Sequence, residues 1–361
     1  MLAQIAAAGW DRPVILQAGD GDGLALLTSL GRQAGRCRGR SGCRVADRAR
    51  RGGEWKESLG LLLIYALLLV TLSLLSPYFL SVNNLLNILV AVSVIGIIAV
   101  AMTMVIVSGG IDLSVGSVVA FTGVAVAQLS HSVPLWVAVA AALGIGLFTG
   151  TLNGLAVTRI GINPLITTLG TLSITRGLAL VFSGGLSQTI SHEGFKFLGR
   201  GFVLGVPFQV LLMAALFALA AWVMRATVLG RSFYAIGGNA RAARLAGLPV
   251  ARLRLLTYVI SGFSAALGGL VLASQLGAGA PAAASGIELS VIAAVILGGT
   301  SLSGGKGTIG GTLLGVLILG TLNNGLTLLN VSSYYQEVAR GAVLLLAVAL
   351  DRLRLRFAEV E

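Results

Sequence analysis

Charge is what this chain has least of. Only 11% of its residues are Asp, Glu, Lys or Arg, where an ordinary soluble domain carries about 25%. Combined with 56% hydrophobic residues, 50 glycines and a mean hydropathy of +0.94, so little charge excludes a soluble globular protein and marks an integral membrane protein. Acids are scarcer than bases, 13 against 25 Lys and Arg, for a formal net charge of +12. Such an excess can signal nucleic acid, but these arginines cluster beside apolar runs, a distribution that orients membrane proteins, and no nucleic-acid partner is expected. Cysteine is nearly absent. Cys37 and Cys43 lie in a polar stretch with no histidine cluster, which supports neither a disulfide framework nor a zinc site, so no metal is expected. Carboxylates are almost missing from the apolar runs too: Asp112 and Glu288 are available, both near run ends. An ion-coupled secondary transporter would need a relay of them at mid-span.

What is present is a series of spans. An apolar run of about 17–25 residues crosses a bilayer as a helix. Ten can be drawn, at 59–75, 85–108, 115–129, 135–157, 164–182, 207–224, 255–275, 287–299, 308–329 and 338–350. The expected fold is therefore all-α, a polytopic helical membrane protein of about ten transmembrane helices. The runs 115–129 and 287–299 are short, as tilted, half-length or broken spans are. The longest polar loop between spans, 225–254, holds Arg225, Arg231, Arg241, Arg244, Arg252 and Arg254 with no acid, which places it in the cytoplasm. Ten spans then put both termini there, with Arg159, Lys306, Arg352, Arg354 and Arg356, and leave the loop 183–206 outside. Residues 54–354 make up the transmembrane domain and 355–361 a cytoplasmic tail. Residues 1–53, rich in arginine from Arg32 to Arg51 and without any period, are expected to be disordered. They are either a tail that meets acidic lipid or the product of a start assigned too early, with the true start near Glu54. They are not a signal peptide, because the weakly apolar part precedes the basic part.

One stretch interrupts the aliphatic pattern. Gly109-Gly110-Ile111-Asp112-Leu113-Ser114-Val115-Gly116-Ser117 sets a carboxylate, two hydroxyls and three glycines between the almost purely aliphatic flanks 90–107 and 118–127. It is either a break that lines a pathway, where irregular polar backbone is tolerated at membrane depth, or a surface turn in which Asp112 caps the next helix. The other polar residues within the spans are mostly neutral: Asn153, Asn163, Gln275, Asn323 and Asn324. Arg176 and Glu288 are the remaining ionisable ones, either paired with each other or reaching headgroups. Neutral hydrogen-bonding groups suit a hydroxyl-rich, uncharged substrate, and Asp112, Ser114, Asn153, Asn163, Asn323 and Asn324 are the candidate pathway residues.

A weak internal echo points to two halves. Gly109-Gly110-x-x-Leu113-Ser114-x-Gly116 returns as Gly298-Gly299-x-x-Leu302-Ser303-x-Gly305, and Gly150-Thr151-Leu152-Asn153 returns as Gly320-Thr321-Leu322-Asn323. The spacing between the two motifs differs between halves by about one helix. Two apparent nucleotide motifs fail: Leu302-Ser303-Gly304-Gly305-Lys306 is similar to the signature of ABC-type ATPases and Gly305-Lys306 to the end of a phosphate loop, but the segment lies between apolar runs and not between a buried strand and a soluble helix. A phosphate loop needs glycine five residues before Gly305 and Ser or Thr after Lys306; the chain has Thr300 and Gly307 there.

In the loop 225–254, Asn239 is placed to cap a short Ala- and Leu-rich helix that Gly247 ends, with Pro249 preventing continuation. Such a helix either lies on lipid or docks on a partner, and then Gly238, Asn239, Ala243, Arg244, Leu245 and Gly247 are its coupling residues. Taken together, Gly-Gly-Ile-Asp-Leu-Ser-Val-Gly at 109–116, Gly-Gly-Asn with Ala-Ala-Arg-Leu-Ala-Gly at 237–247, and Gly-Gly-Thr-Ser-Leu-Ser-Gly-Gly-Lys-Gly at 298–307 resemble the permease subunits of ribose-type monosaccharide ABC importers. The likeness runs from about Trp55 to Arg354. It implies a permease that forms a homodimer in the bacterial inner membrane, among lipid, and receives sugar from a periplasmic binding protein. Power would come from a separate ATP-binding subunit, on which the short helix of the coupling segment 237–248 docks, so this chain would bind no cofactor and would not itself be an enzyme. Arg241 departs from the family, which usually has an acid there. A permease for branched-chain amino acids is the nearest alternative, and it would need charged partners for a zwitterion.

Overall fold

The computed structural model describes residues 60–190 and 192–358, so the expectation for residues 1–53 lies outside the described residues. Each of the ten apolar runs coincides with a helix. α1 (Gly60–Leu75), α2 (Val82–Val107), α3 (Val115–Leu129), α4 (Leu135–Leu155) and α5 (Pro164–Ser183) follow one another through short turns, α4 ending in a π turn at Ala156–Ile160. Next come β1 (Gln188–Thr189), α6 (Glu193–Arg200), the pair β2 (Phe202–Val203) and β3 (Val206–Pro207), and α7 (Phe208–Ala226). The polar loop folds as α8 (Val228–Gly238) and α9 (Ala240–Leu245), and the chain closes with α10 (Val250–Leu276), β4 (Ala278–Gly279), α11 (Ile287–Leu297), α12 (Ile309–Leu328) and α13 (Ser333–Ala358). Among the described residues six helices are long and apolar enough to cross a membrane, namely α2, α4 with its π turn, α5, α7, α10 and α12, while α1, α3 and α11 are shorter apolar helices.

Burial separates helices that hydropathy alone makes look alike. The most apolar window of α2 is 83% buried and that of α10 61%, whereas that of α5 is only 17% buried. α2 and α10 are thus the protein's interior, and α5 turns most of its leucines and isoleucines outward, as a surface against lipid or another chain does. α10 packs on α2, α3, α4 and α6. Its contact with α4 is the closest, because Gly146, Gly150 and Gly154 recur every four residues on one face of α4 and meet Gly262, Tyr258 and Leu255 of α10. A Cβ at Gly150 would overlap the Tyr258 carbonyl oxygen. Glycine at this spacing lets two helix backbones touch where side chains would hold them apart.

α11 is a half-length helix. Before it, β4 pairs antiparallel with β1, Thr189 opposite Ala278, and residues 280–286 then run without helix to Gly286. Freed backbone carbonyls at such a place need donors. Arg176 of α5 supplies them, its guanidinium donating to the Pro281 oxygen at 2.8 Å and the Ala283 oxygen at 2.9 Å. Arg176 and Glu288 therefore do not form the ion pair that the sequence left open: the cation is engaged by carbonyls, and the Glu288 Oε2 is buried without a hydrogen-bond partner.

The two glycine turns of the internal echo are the same structure, one residue out of the register that their letters suggest. At the end of α2 the Gly109 amide donates to the Ile106 oxygen and the Gly110 amide to the Val105 oxygen; at the end of α11 Gly299 donates to Ile296 and Thr300 to Val295. Gly109 (φ 80°) thus corresponds to Gly299 (φ 86°), since the left-handed position is the one that demands glycine. The second echo falls on unlike elements. Gly150 lies on the second helix after its turn and Gly320 on the first.

Candidate functional site

The turn 108–114 is pinned by a buried polar chain. Asp112, 1% exposed, accepts at Oδ1 from the Ser114 amide (3.0 Å) and the Ser114 hydroxyl (2.6 Å), and at Oδ2 from the Ser261 hydroxyl of α10 (2.7 Å). The Asn153 amide of α4 donates to Ser114 Oγ at 2.9 Å, and its oxygen accepts from the Thr171 hydroxyl of α5 at 2.6 Å. Ser117 and Thr175 share a further hydroxyl contact of 2.7 Å between α3 and α5. On the other side the Tyr258 hydroxyl donates to the Ile111 oxygen (3.3 Å) and the Arg254 Nε to the Ser108 oxygen (3.3 Å). Asp112 holds the start of α3, as a capping residue does, and it does so deep inside the protomer. A buried carboxylate costs several kcal/mol unless its acceptors are filled, and here Ser114 and Ser261 fill both oxygens.

Asp112, Ser114 and Asn153 are therefore one unit, and the other candidate pathway residues stand apart from it. Asn163 is exposed and caps α5, accepting from the Leu165 amide at 2.9 Å. Asn324 pairs reciprocally with Asn84 of α2, at 2.9 and 3.1 Å. Asn323 is half-buried on α12 and accepts from the Thr327 hydroxyl through its backbone oxygen. Sequence reasoning missed Ser261, Thr171 and Tyr258. Each is an ordinary residue of an apolar helix, and the separation of 149 residues between Asp112 and Ser261 hides the pairing from any local pattern.

The second candidate region is the helix α9. Asn239 caps it as expected, Oδ1 accepting from the Ala242 amide at 2.9 Å. Its end is also as expected: Gly247 has φ 84°, with Gly247 N–H to the Arg244 oxygen and Leu248 N–H to the Ala243 oxygen. The face differs. Ala243 is 5% exposed and packs into this protomer's own core, so it anchors the helix and offers no surface to a partner. Arg241, Arg244 and Leu245 point outward, Leu245 at 83% exposure. Replacing Gly247 by alanine is expected to weaken this cap by about 1 kcal/mol, the cost of a left-handed residue that carries a Cβ. Amide exchange at Leu248 checks it, and protection equal to the parent's would show the cap unaffected.

The loop 298–308, which carries Lys306, is a turn between α11 and α12. The Ser301 amide donates to the Lys306 oxygen at 3.1 Å, the Gly304 amide to the Ser301 oxygen at 3.1 Å and the Gly305 amide to the Val107 oxygen at 2.9 Å, so these three backbone donors are not aimed at a nucleotide as those of a phosphate loop are.

Comparison with known proteins adds the following. The model of the family described as "Branched-chain amino acid transport system / permease component" matches residues 84–348, well over half of the chain. The ribose import permease protein RbsC of Bacillus subtilis is 45% identical over 299 residues, covering 82% of this chain and 93% of that protein. RbsC of Escherichia coli K12 is 45% identical over 303 residues, covering 82% and 93%. The L-arabinose ABC transporter permease protein AraH of Azospirillum brasilense is 41% identical over 315 residues, covering 86% and 92%.

Proposed function

The chain belongs to this family of transport-system permease components, and from that membership we propose that it carries a monosaccharide, a ribose-like pentose or a hexose, through the bacterial inner membrane as the permease subunit of an ABC importer. Two copies would form the pathway, a periplasmic binding protein would deliver the sugar, and a separate subunit would bind and hydrolyse ATP. α9 would dock on that subunit, which would put the loop 225–254 and both termini in the cytoplasm and the loop 183–206 outside.

The observation that carries the sugar reading is the engagement of Arg176. A permease for zwitterions needs a cation for the carboxylate, and the two arginines that stand by this site already donate to backbone carbonyls, Arg176 to Pro281 and Ala283 and Arg254 to Ser108. Apart from Asp112 and Arg254, the polar side chains around the turn 108–114 are hydroxyls and a carboxamide. Asp112, Ser114 and Asn153 are fully partnered by their own chain, so in this reading they set the shape of the pathway wall, while Asn163 and Asn323, which have free polar atoms, face the substrate. The relatives named for ribose and arabinose support the same substrate class. Glu288 is the residue that favours the amino-acid alternative, because its unpartnered Oε2 would suit an ammonium group.

Uptake separates the two. In proteoliposomes that hold this chain with its cognate ATP-binding subunit and binding protein, labelled ribose is expected to accumulate with ATP, and excess unlabelled leucine to leave that rate unchanged. Accumulation of leucine and not of any pentose or hexose would reverse the assignment.

A further inference from the structure

The three glycine motifs lie far apart in the sequence and meet at one point. A Cβ at Gly237 would overlap the Val107 carbonyl oxygen and lie 2.6 Å from the Gly305 amide nitrogen; one at Gly304 would lie 3.1 Å from the Gly109 Cα; and one at Gly305 would lie 2.7 Å from the Gly238 Cα. The Gly305 amide donates to the Val107 oxygen at 2.9 Å. Main chain touches main chain here from three directions: the end of α2, the end of α8 and the turn before α12. Two side chains tie the joint from outside, Tyr234 donating to the Gly307 oxygen at 2.8 Å and Arg254 to the Ser108 oxygen at 3.3 Å.

Each strand of this joint leads directly to something that the proposed transport cycle uses. One residue beyond Gly238, Asn239 caps the coupling helix; three residues beyond Gly109 stands Asp112; beyond Gly305 the chain enters α12, which packs on α2 and α11. Side chains in contact can change rotamer and absorb a displacement, but touching backbones have no rotamers to change, so a movement on one side is passed to the other. We propose that Gly237 is a positioning residue for transport, the point at which displacement of the coupling helix α9 is handed to the turn that holds Asp112 and to α12. This rests on the reading of α9 as the dock for an ATP-binding subunit.

The test uses the complete reconstituted importer and separates assembly from coupling. Gly237→Ala is expected to leave the ATP-binding subunit bound and its basal hydrolysis intact. Sugar uptake and the stimulation of hydrolysis by sugar-loaded binding protein should fall by about 5- to 150-fold, the range of an energetic coupling between two sites. A Cβ at this position can also stop the chain from folding, so the double variant Y234F/R254Q, which loosens the joint without inserting an atom, is measured beside it and is expected to show a smaller fall of the same kind. Normal stimulation and uptake in Y234F/R254Q overturn the proposal, and so does a loss of hydrolysis in step with lost assembly in that variant, since the joint would then only hold the fold. A parent complex with no sugar-stimulated hydrolysis would overturn the functional reading itself, and this inference with it.

Discussion

Replacing Asp112 by alanine is expected to abolish uptake and to lower the melting temperature of the purified permease, whereas Asp112→Asn should preserve both to within about tenfold in rate. The difference follows from where the hydrogen bonds go. Alanine leaves the Ser114 amide, the Ser114 hydroxyl and the Ser261 hydroxyl, all on buried residues, without their acceptor, at about 1–3 kcal/mol for each group that finds no other. Asparagine keeps an oxygen for the two Ser114 donors. Its amino group then faces Ser261 Oγ, which can reverse its role and accept. The carboxylate's shape is what the turn uses, and its charge is dispensable. Melting in detergent and uptake in proteoliposomes measure the two halves, and an asparagine variant that folds normally but does not transport would show that the charge itself is used.

Leu245→Glu is expected to detach the ATP-binding subunit and abolish uptake while leaving insertion and melting temperature unchanged. Leu245 is 83% exposed, so the folded protomer gains nothing from it. In the proposed docked complex it would be the apolar anchor of α9, and burying an unpaired carboxylate in its place would cost about 2–4 kcal/mol, the scale of an interface hot spot. That corresponds to roughly 30- to 1,000-fold in Kd. Ala243 is unsuitable for this test, because a bulky residue there would disturb the protomer before it met any partner. Full retention of the subunit by the Leu245 variant, with normal uptake, would mean that α9 rests on lipid.

The helices were legible in the sequence because hydrocarbon imposes a length and a composition on anything that crosses it. The cap at Asn239 and the stop at Gly247 were legible for a similar reason, since both are settled within a few residues. Relations across the chain were not. Asp112 could be singled out as a polar residue in an aliphatic setting, yet nothing near it names Ser261, and Asn153 gives no hint of Thr171. Nor does the sequence show that Asn163 also caps a helix start or that Asn324 pairs with Asn84. Ala243 was assigned to the wrong face because α9 is only six residues long, too short for periodicity to say which side is covered. The glycine motifs were visible as letters. That Gly109, Gly237 and Gly305 are a single joint is a fact of tertiary structure alone.

The shortness of α11 bears on how the protein is made. Eleven residues rise about 16 Å, roughly half the thickness of the hydrocarbon core. As it leaves the ribosome, such a segment is too short to partition into the bilayer by itself, and its non-helical lead-in at 280–286 carries bare carbonyls that hydrocarbon rejects. It can be held only by what is already in place and what comes next: Arg176, synthesised a hundred residues earlier, to receive the carbonyls, and α12 to form the second arm of a hairpin. Stable insertion of α11 is thus expected to depend on α5, which carries Arg176, being already in place.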